Sequence, residues 1–181
     1  MKRIILIMVV LFSAGRLMAA QGDNWNVRFQ PFGLLVGLLI SEIDYKVNEN
    51  IVVGPSLLYW NFSGTDITAK MNGFGAQGAY YFDSVFNDGF YVGGRFNTMS
   101  MSVSGPDLSG NELTSSASGS AIGIKGGYHW FWDSFNINLG LSAGSSSIAK
   151  AQVKDSNGNV VSETSAPAIA TGLDFMMGFS F

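Results

Sequence analysis

TGLDFMMGFSF, residues 171–181, separates into two sets when read by twos. Leu173, Phe175, Met177, Phe179 and Phe181 are all large and apolar. Between them stand Gly172, Asp174, Met176, Gly178 and Ser180, most of them small or polar. Successive side chains of a β-strand point to opposite faces, so the stretch reads as a strand with one greasy face. The same period runs through GFGAQGAYYF (73–82), FYVGGRFN (90–97), AIGIKGGYHWFW (121–132) and FNINLGLSAG (135–144). No stretch beyond residue 21 repeats apolar residues at helical spacing with a polar opposite face.

The second face decides which way such a sheet is turned. A soluble β-sandwich points its apolar faces inward and carries charge outside. This chain is 47% hydrophobic and only 13% charged, well under the quarter or so usual in soluble domains. Its non-greasy faces are built from Gly, Ser, Ala and Asn, which fit the crowded inside of a narrow barrel. The greasy faces then point outward to lipid. Every backbone donor needs a partner there, so the sheet has to close or be covered. Short connections at 48–50, 83–89 and 133–134 alternate with longer Ser/Gly/Asn-rich ones near Gly64, 106–111 and 155–159. Tyr80, Phe82, Trp130 and Trp132 lie near the short turns, like the interfacial girdles of membrane barrels.

With these features the sequence resembles the small bacterial outer-membrane barrels of the OmpA/OmpX type. The fold class expected is all-β, an antiparallel transmembrane β-barrel of nominally eight strands. Seven are clear, at roughly 34–47, 50–62, 67–83, 89–104, 113–132, 135–152 and 161–181. Bacterial single-chain barrels usually have an even strand number, so the eighth is sought in NWNVRFQPF (24–32). One long first strand, or an N-terminal segment tucked into the lumen, are the alternatives. The resemblance implies that the short turns and the C-terminus face the periplasm. It also implies that Leu173, Phe175, Met177, Phe179 and Phe181 form the signal read by the barrel-assembly machinery. The opening MKRIILIMVVLFSAGRLMAAQGDN (1–24) has a positive start, an apolar run at 4–12 and small residues after it. That is the layout of a secretory signal, and Arg16 interrupts it too early for a membrane span. The expected organisation is a signal peptide at 1–20 and an outer-membrane barrel at 21–181.

Motifs that carry chemistry elsewhere lack their context here. GFGAQG (73–78) matches a dinucleotide fingerprint, but that site needs a helix next, and here the strand continues. GLSAG (140–144) matches a nucleophile elbow, which needs a sharp strand-to-helix turn. Period two instead lays Gly140, Ser142 and Gly144 on one flat face. The single histidine, His129, with Asp174 or Glu42 would be the only conceivable partners for Ser142. One His and no Cys are too few for a zinc site. A net charge of -3 gives no footprint for nucleic acid. No catalytic, cofactor-binding or metal-binding residues are therefore expected.

Two inner features are more informative. Glu42, Arg95, Lys125 and Asp174 all stand roughly six to eight residues above the nearest short turn or terminus. They are expected to form one paired layer that closes the lumen, because a buried charge without a partner costs several kcal/mol. Arg95 would pair with Asp174 or Glu42. The other feature is FGLLVGLLI (32–40), read as a wall with apolar groups on both faces. Phe32, Leu34, Val36, Leu38 and Ile40 make its second greasy face, and 51–58 repeats the pattern. Something apolar must cover it: an N-terminal plug, a packed core in half the lumen, or a neighbouring barrel in a homo-oligomer that encloses lipid. The function expected is a non-enzymatic outer-membrane barrel with a structural or membrane-organising role. Its partners would be outer-membrane lipid and the assembly machinery. A small-solute pore and a lipid-modifying enzyme are the competing readings.

Overall fold

The computed structural model describes residues 24–106, 110, 112–154 and 159–181, so the expected leader lies outside the described residues. Eight antiparallel strands follow one another around a closed barrel. They are β1 (Trp25–Phe29), β2 (Leu38–Lys46), β3 (Ile51–Ser63), β4 (Thr68–Tyr81), β5 (Gly89–Pro106), β6 (Glu112–Trp132), β7 (Phe135–Lys154) and β8 (Val160–Ser180). One helical turn, α1 (Pro31–Leu34), joins β1 to β2. Residues 25–29 are thus a wall strand, neither a plug nor the start of one long first strand. β1 closes the barrel by pairing Asn26 with Ser180 and Phe29 with Met177. Trp25 and Phe181 exchange two backbone hydrogen bonds, of 3.0 and 2.8 Å.

Register fixes the two faces. Phe90, Phe96, Ile122, Ile124, Leu139, Leu141, Ile169 and Leu173 point outward and are widely exposed. Arg28, Glu42, Asp44, Gln77, Lys125, His129, Asn136, Asn138 and Asp174 point inward and are buried. This inversion of the soluble rule, with apolar outside and polar inside, is the pattern of a barrel standing in lipid. Aromatic pairs such as Tyr80 with Phe82 and Tyr128 with Trp130 mark the end with the short turns. The tight turn between β6 and β7 puts Asp133 at φ 53, a left-handed conformation that a short polar side chain tolerates.

The wall is very uneven in height. β6 and β8 are each 21 residues long, whereas β1 has 5 and β2 has 9. The long strands change chemistry outside as they rise. Above Ile122 the outward positions of β6 become Ser120, Ser118 and Ser116, and those of β5 become Ser100 and Ser102. The lipid-facing belt ends there, and the tall wall continues into water.

The strand expected from residue 34 is corrected here. α1 and the bend after it occupy 31–37, and β2 begins only at Leu38. Pro31 opens the helical turn, a position where its missing N–H costs nothing. Gly37 at φ 76 redirects the chain, and the Trp60 indole donates 2.9 Å to the Val36 carbonyl. Phe32, Leu34 and Val36 therefore belong to the turn. Of the second greasy face only Leu38 and Ile40 are in the wall.

Candidate functional site

The lumen is the candidate site, and it has two storeys. The lower storey, toward the short turns, is filled. Val52, Ala79, Tyr81, Val85 and Tyr91 form a buried cluster with Phe86 against it. Val85 comes from the connection at 82–88, whose backbone is tied by Val85 N donating to Glu49 O at 2.8 Å. Asn50 Nδ2 adds bonds to the carbonyls of Tyr81 and Asp83 at 2.9 and 2.7 Å. This connection folds against the barrel end like a stopper.

Above the cluster a polar network crosses the lumen. Tyr81 donates to His129 Nδ1 at 2.8 Å, and His129 Nε2 donates to Asn136 Oδ1 at 2.9 Å. Asn136 Nδ2 donates to Asn26 Oδ1 at 2.9 Å, and Asn26 Nδ2 to Asp44 Oδ2 at 3.3 Å. The four donors all point one way, toward a carboxylate. His129 gives from one nitrogen and accepts at the other, the pattern of a neutral imidazole.

The chain ends in a charge cluster. Arg28 meets Asp44 at 2.8 Å and Glu42 at 2.8 Å, and Lys125 meets Glu42 at 2.5 Å. Gln77 Nε2 donates to Asp44 as well. Two cations and two anions sum to zero, and all four groups are essentially buried. Mutual pairing is what makes burial of such charges tolerable.

The structure brings together two of the four residues singled out from the sequence, Glu42 and Lys125. It does not bring Arg95 or Asp174 into an ion pair with any described residue. Arg95 on β5 and Asp174 on β8 stand on strands separated by β6 and β7. Arg95 pairs with Gly123, which pairs with Gly144, which pairs with Ala170. Asp174 lies four residues further along β8, about 13 Å at strand spacing. Arg28 and Asp44, which the sequence reading passed over, take the expected places. Asp44 shares a face with Glu42 by period two, and that signal was available.

The upper storey is open. Arg95, Met99, Ala121, Ser142, Gly144, Ala170 and Gly172 line a cavity of about 260 Å³. Leu38 and Ile40 of β2 face Trp60 and Leu58 of β3 in register on the inner side, and all four are half-buried. The hydrolase candidates do not converge. Ser142 Oγ donates to the Gly172 carbonyl at 3.5 Å, while both His129 nitrogens are engaged below the charge cluster.

The architecture is that of the small OmpA/OmpX-type barrels the sequence resembles, with eight antiparallel neighbours in chain order. No family model matches the chain. No curated protein matches it either. Among solved structures, the N-terminal β-barrel domain of Pseudomonas aeruginosa OprF is similar at 14% identity and a TM-score of 0.48. The likeness covers 89% of this chain and 100% of that domain.

Proposed function

We propose that this chain is a non-enzymatic barrel of the bacterial outer membrane with a structural, membrane-organising role, shut at its periplasmic end. The observation that carries the reading is the neutral four-charge cluster with its hydrogen-bond chain. Together with the stopper at 82–88 they support a lower storey without a continuous aqueous path. A solute pore needs such a path. An acyl-transferring or hydrolytic enzyme needs a nucleophile beside a base, and Ser142 and His129 sit in different storeys. The outward row Leu173, Phe175, Met177, Phe179 and Phe181 would serve as both lipid-facing wall and recognition strand for the assembly machinery.

Planar-bilayer recording tests the closed floor. The native protein should insert without steady current steps. Glu42→Gln leaves Arg28 and Lys125 without their shared carboxylate and should produce intermittent opening. Steady ohmic conductance of the native protein would favour the pore instead.

A further inference from the structure

The barrel wall has a gap at one place. β8 pairs with β7 along nearly its whole length, but with β1 only from Met177 to Ser180. β1 stops at Phe29, and α1 reaches β8 through Phe32, whose ring lies 5.1 Å from that of Phe175. Above that contact the edge of β8 has no neighbouring strand. β2 itself ends at Leu38, where Gly33 of α1 packs closely against it, so above α1 the edge of β8 stands beside neither β1 nor β2. The exposure agrees, since Gly172 and Ala170 face inward by register yet are exposed. The outward residues at this height are Leu173 and Ile169, at 64% and 86% exposure. The gap therefore opens sideways within the lipid-facing belt, in the half away from the short turns.

What lies behind the gap is two-natured. Ala170 and Gly172, at the lip, also line the cavity that holds Arg95. Arg95 is the one lumen-facing cation among the described residues without an ion-pair partner. The charges of the cluster beneath are paired with one another, and Asp174, the buried carboxylate left without an ion pair among the described residues, stands below the cavity. Beside Arg95 rises an inner wall of Leu38, Ile40, Leu58, Trp60, Met99 and Met101, which water alone solvates poorly. A cation next to an apolar track, reached from lipid past the open edge of β8, fits a molecule with an anionic head and one long tail.

The geometry points to a binding site for a long-chain carboxylate that enters from the outer leaflet above α1, past the open edge of β8. Its carboxylate pairs with Arg95, and its chain lies along the inner wall of β2, β3 and β5. Asp174, lower on β8, repels the head and stops it at the level of Arg95. The guanidinium lies over Gly123, where a Cβ would stand 3.7 Å from Arg95 Nε. The inference rests on the membrane orientation proposed above and specifies what the organising role handles.

Photo-crosslinking tests it, with a diazirine-bearing palmitate and the purified protein in phosphatidylcholine nanodiscs. Label should fall on lumen-facing Met99, Met101 and Leu58. Excess palmitate should compete and hexadecanol should not. Arg95→Gln should lower lumen labelling about tenfold and Arg95→Lys should restore most of it, as a charge-assisted bond requires. Ala170→Trp, which fills the lip of the gap, should lower it similarly. Heat-modifiable migration reports whether each variant is folded and inserted. Label confined to outward residues such as Phe96 and Ile122, or unchanged lumen labelling in folded Arg95→Gln, overturns the proposal. Failure of the native protein to insert at all would instead overturn the membrane reading beneath it.

Discussion

Glu42 holds two cations at once, and that double role sets the energetics at the residue scale. Removing one partner of a buried pair leaves the other charge uncompensated, at a cost of about 3–5 kcal/mol. Lys125→Met is therefore expected to destabilise the barrel by about that much in reversible denaturant unfolding in micelles. The Glu42→Gln, Lys125→Met double variant should lose at least about 1 kcal/mol less than the sum of the two single losses. Arg95→Met, which breaks no ion pair, should stay within about 0.5 kcal/mol in lipid-free detergent. Additive losses for the pair, or a large loss for Arg95→Met, would contradict the assignment. The sequence showed that charges stand inside, because period two separates the faces of β2, β5, β6 and β8. It did not show which charges meet. Strands of a closed barrel tilt and stagger, so equal counts from a turn are not equal heights across the lumen. Arg95 and Asp174 also stand on strands three apart around the barrel, a separation that counts along a strand do not give. Arg28 was passed over because it lies on the five-residue β1, whose strand identity was the least defined.

Elements show where local pattern stops deciding. FGLLVGLLI is apolar at nearly every position, and a continuous apolar run does not separate helix from strand. Pro31 was the one local signal for a helical start. The close approach of β2 and β3 was likewise invisible. A Cβ on Gly54 would stand 1.8 Å from the Ile43 carbonyl, and the register between these strands skips Ile43 and Asp44 beside Pro55. Gly54→Ala should thus cost about 1–3 kcal/mol through displaced backbone, measured by the shift in unfolding midpoint. A neutral result would mean that the strands relax apart freely. At the other end of the chain, the alternation of TGLDFMMGFSF was fully legible: Leu173, Phe175, Met177, Phe179 and Phe181 face outward, and Met176 fills the base. Deleting Phe181 should lower the amount of inserted protein in cells. The refolded barrel should keep most of its stability, since Phe181 stands beyond the end of β8 and adds three backbone bonds, to Asn24 and Trp25. Normal insertion of the truncated protein would remove the recognition role of this strand.

The whole molecule is a barrel of uneven height with a base filled by side chains. Its class was readable because lipid inverts the burial rule and composition records that inversion. The division into two storeys was not, because it depends on how eight strands of unequal length align. The closed base below an open upper lumen is the central claim, and single-cysteine accessibility tests it most directly. The native chain has no cysteine, so each introduced thiol is read alone. Met99→Cys places a thiol on the inner face of the upper storey, and Met176→Cys places one in the base, where Met176 is 1% exposed. A membrane-impermeant maleimide added outside intact cells should label Met99→Cys readily and Met176→Cys only after unfolding. Equal, rapid labelling of both would show an aqueous path through the base and contradict the account.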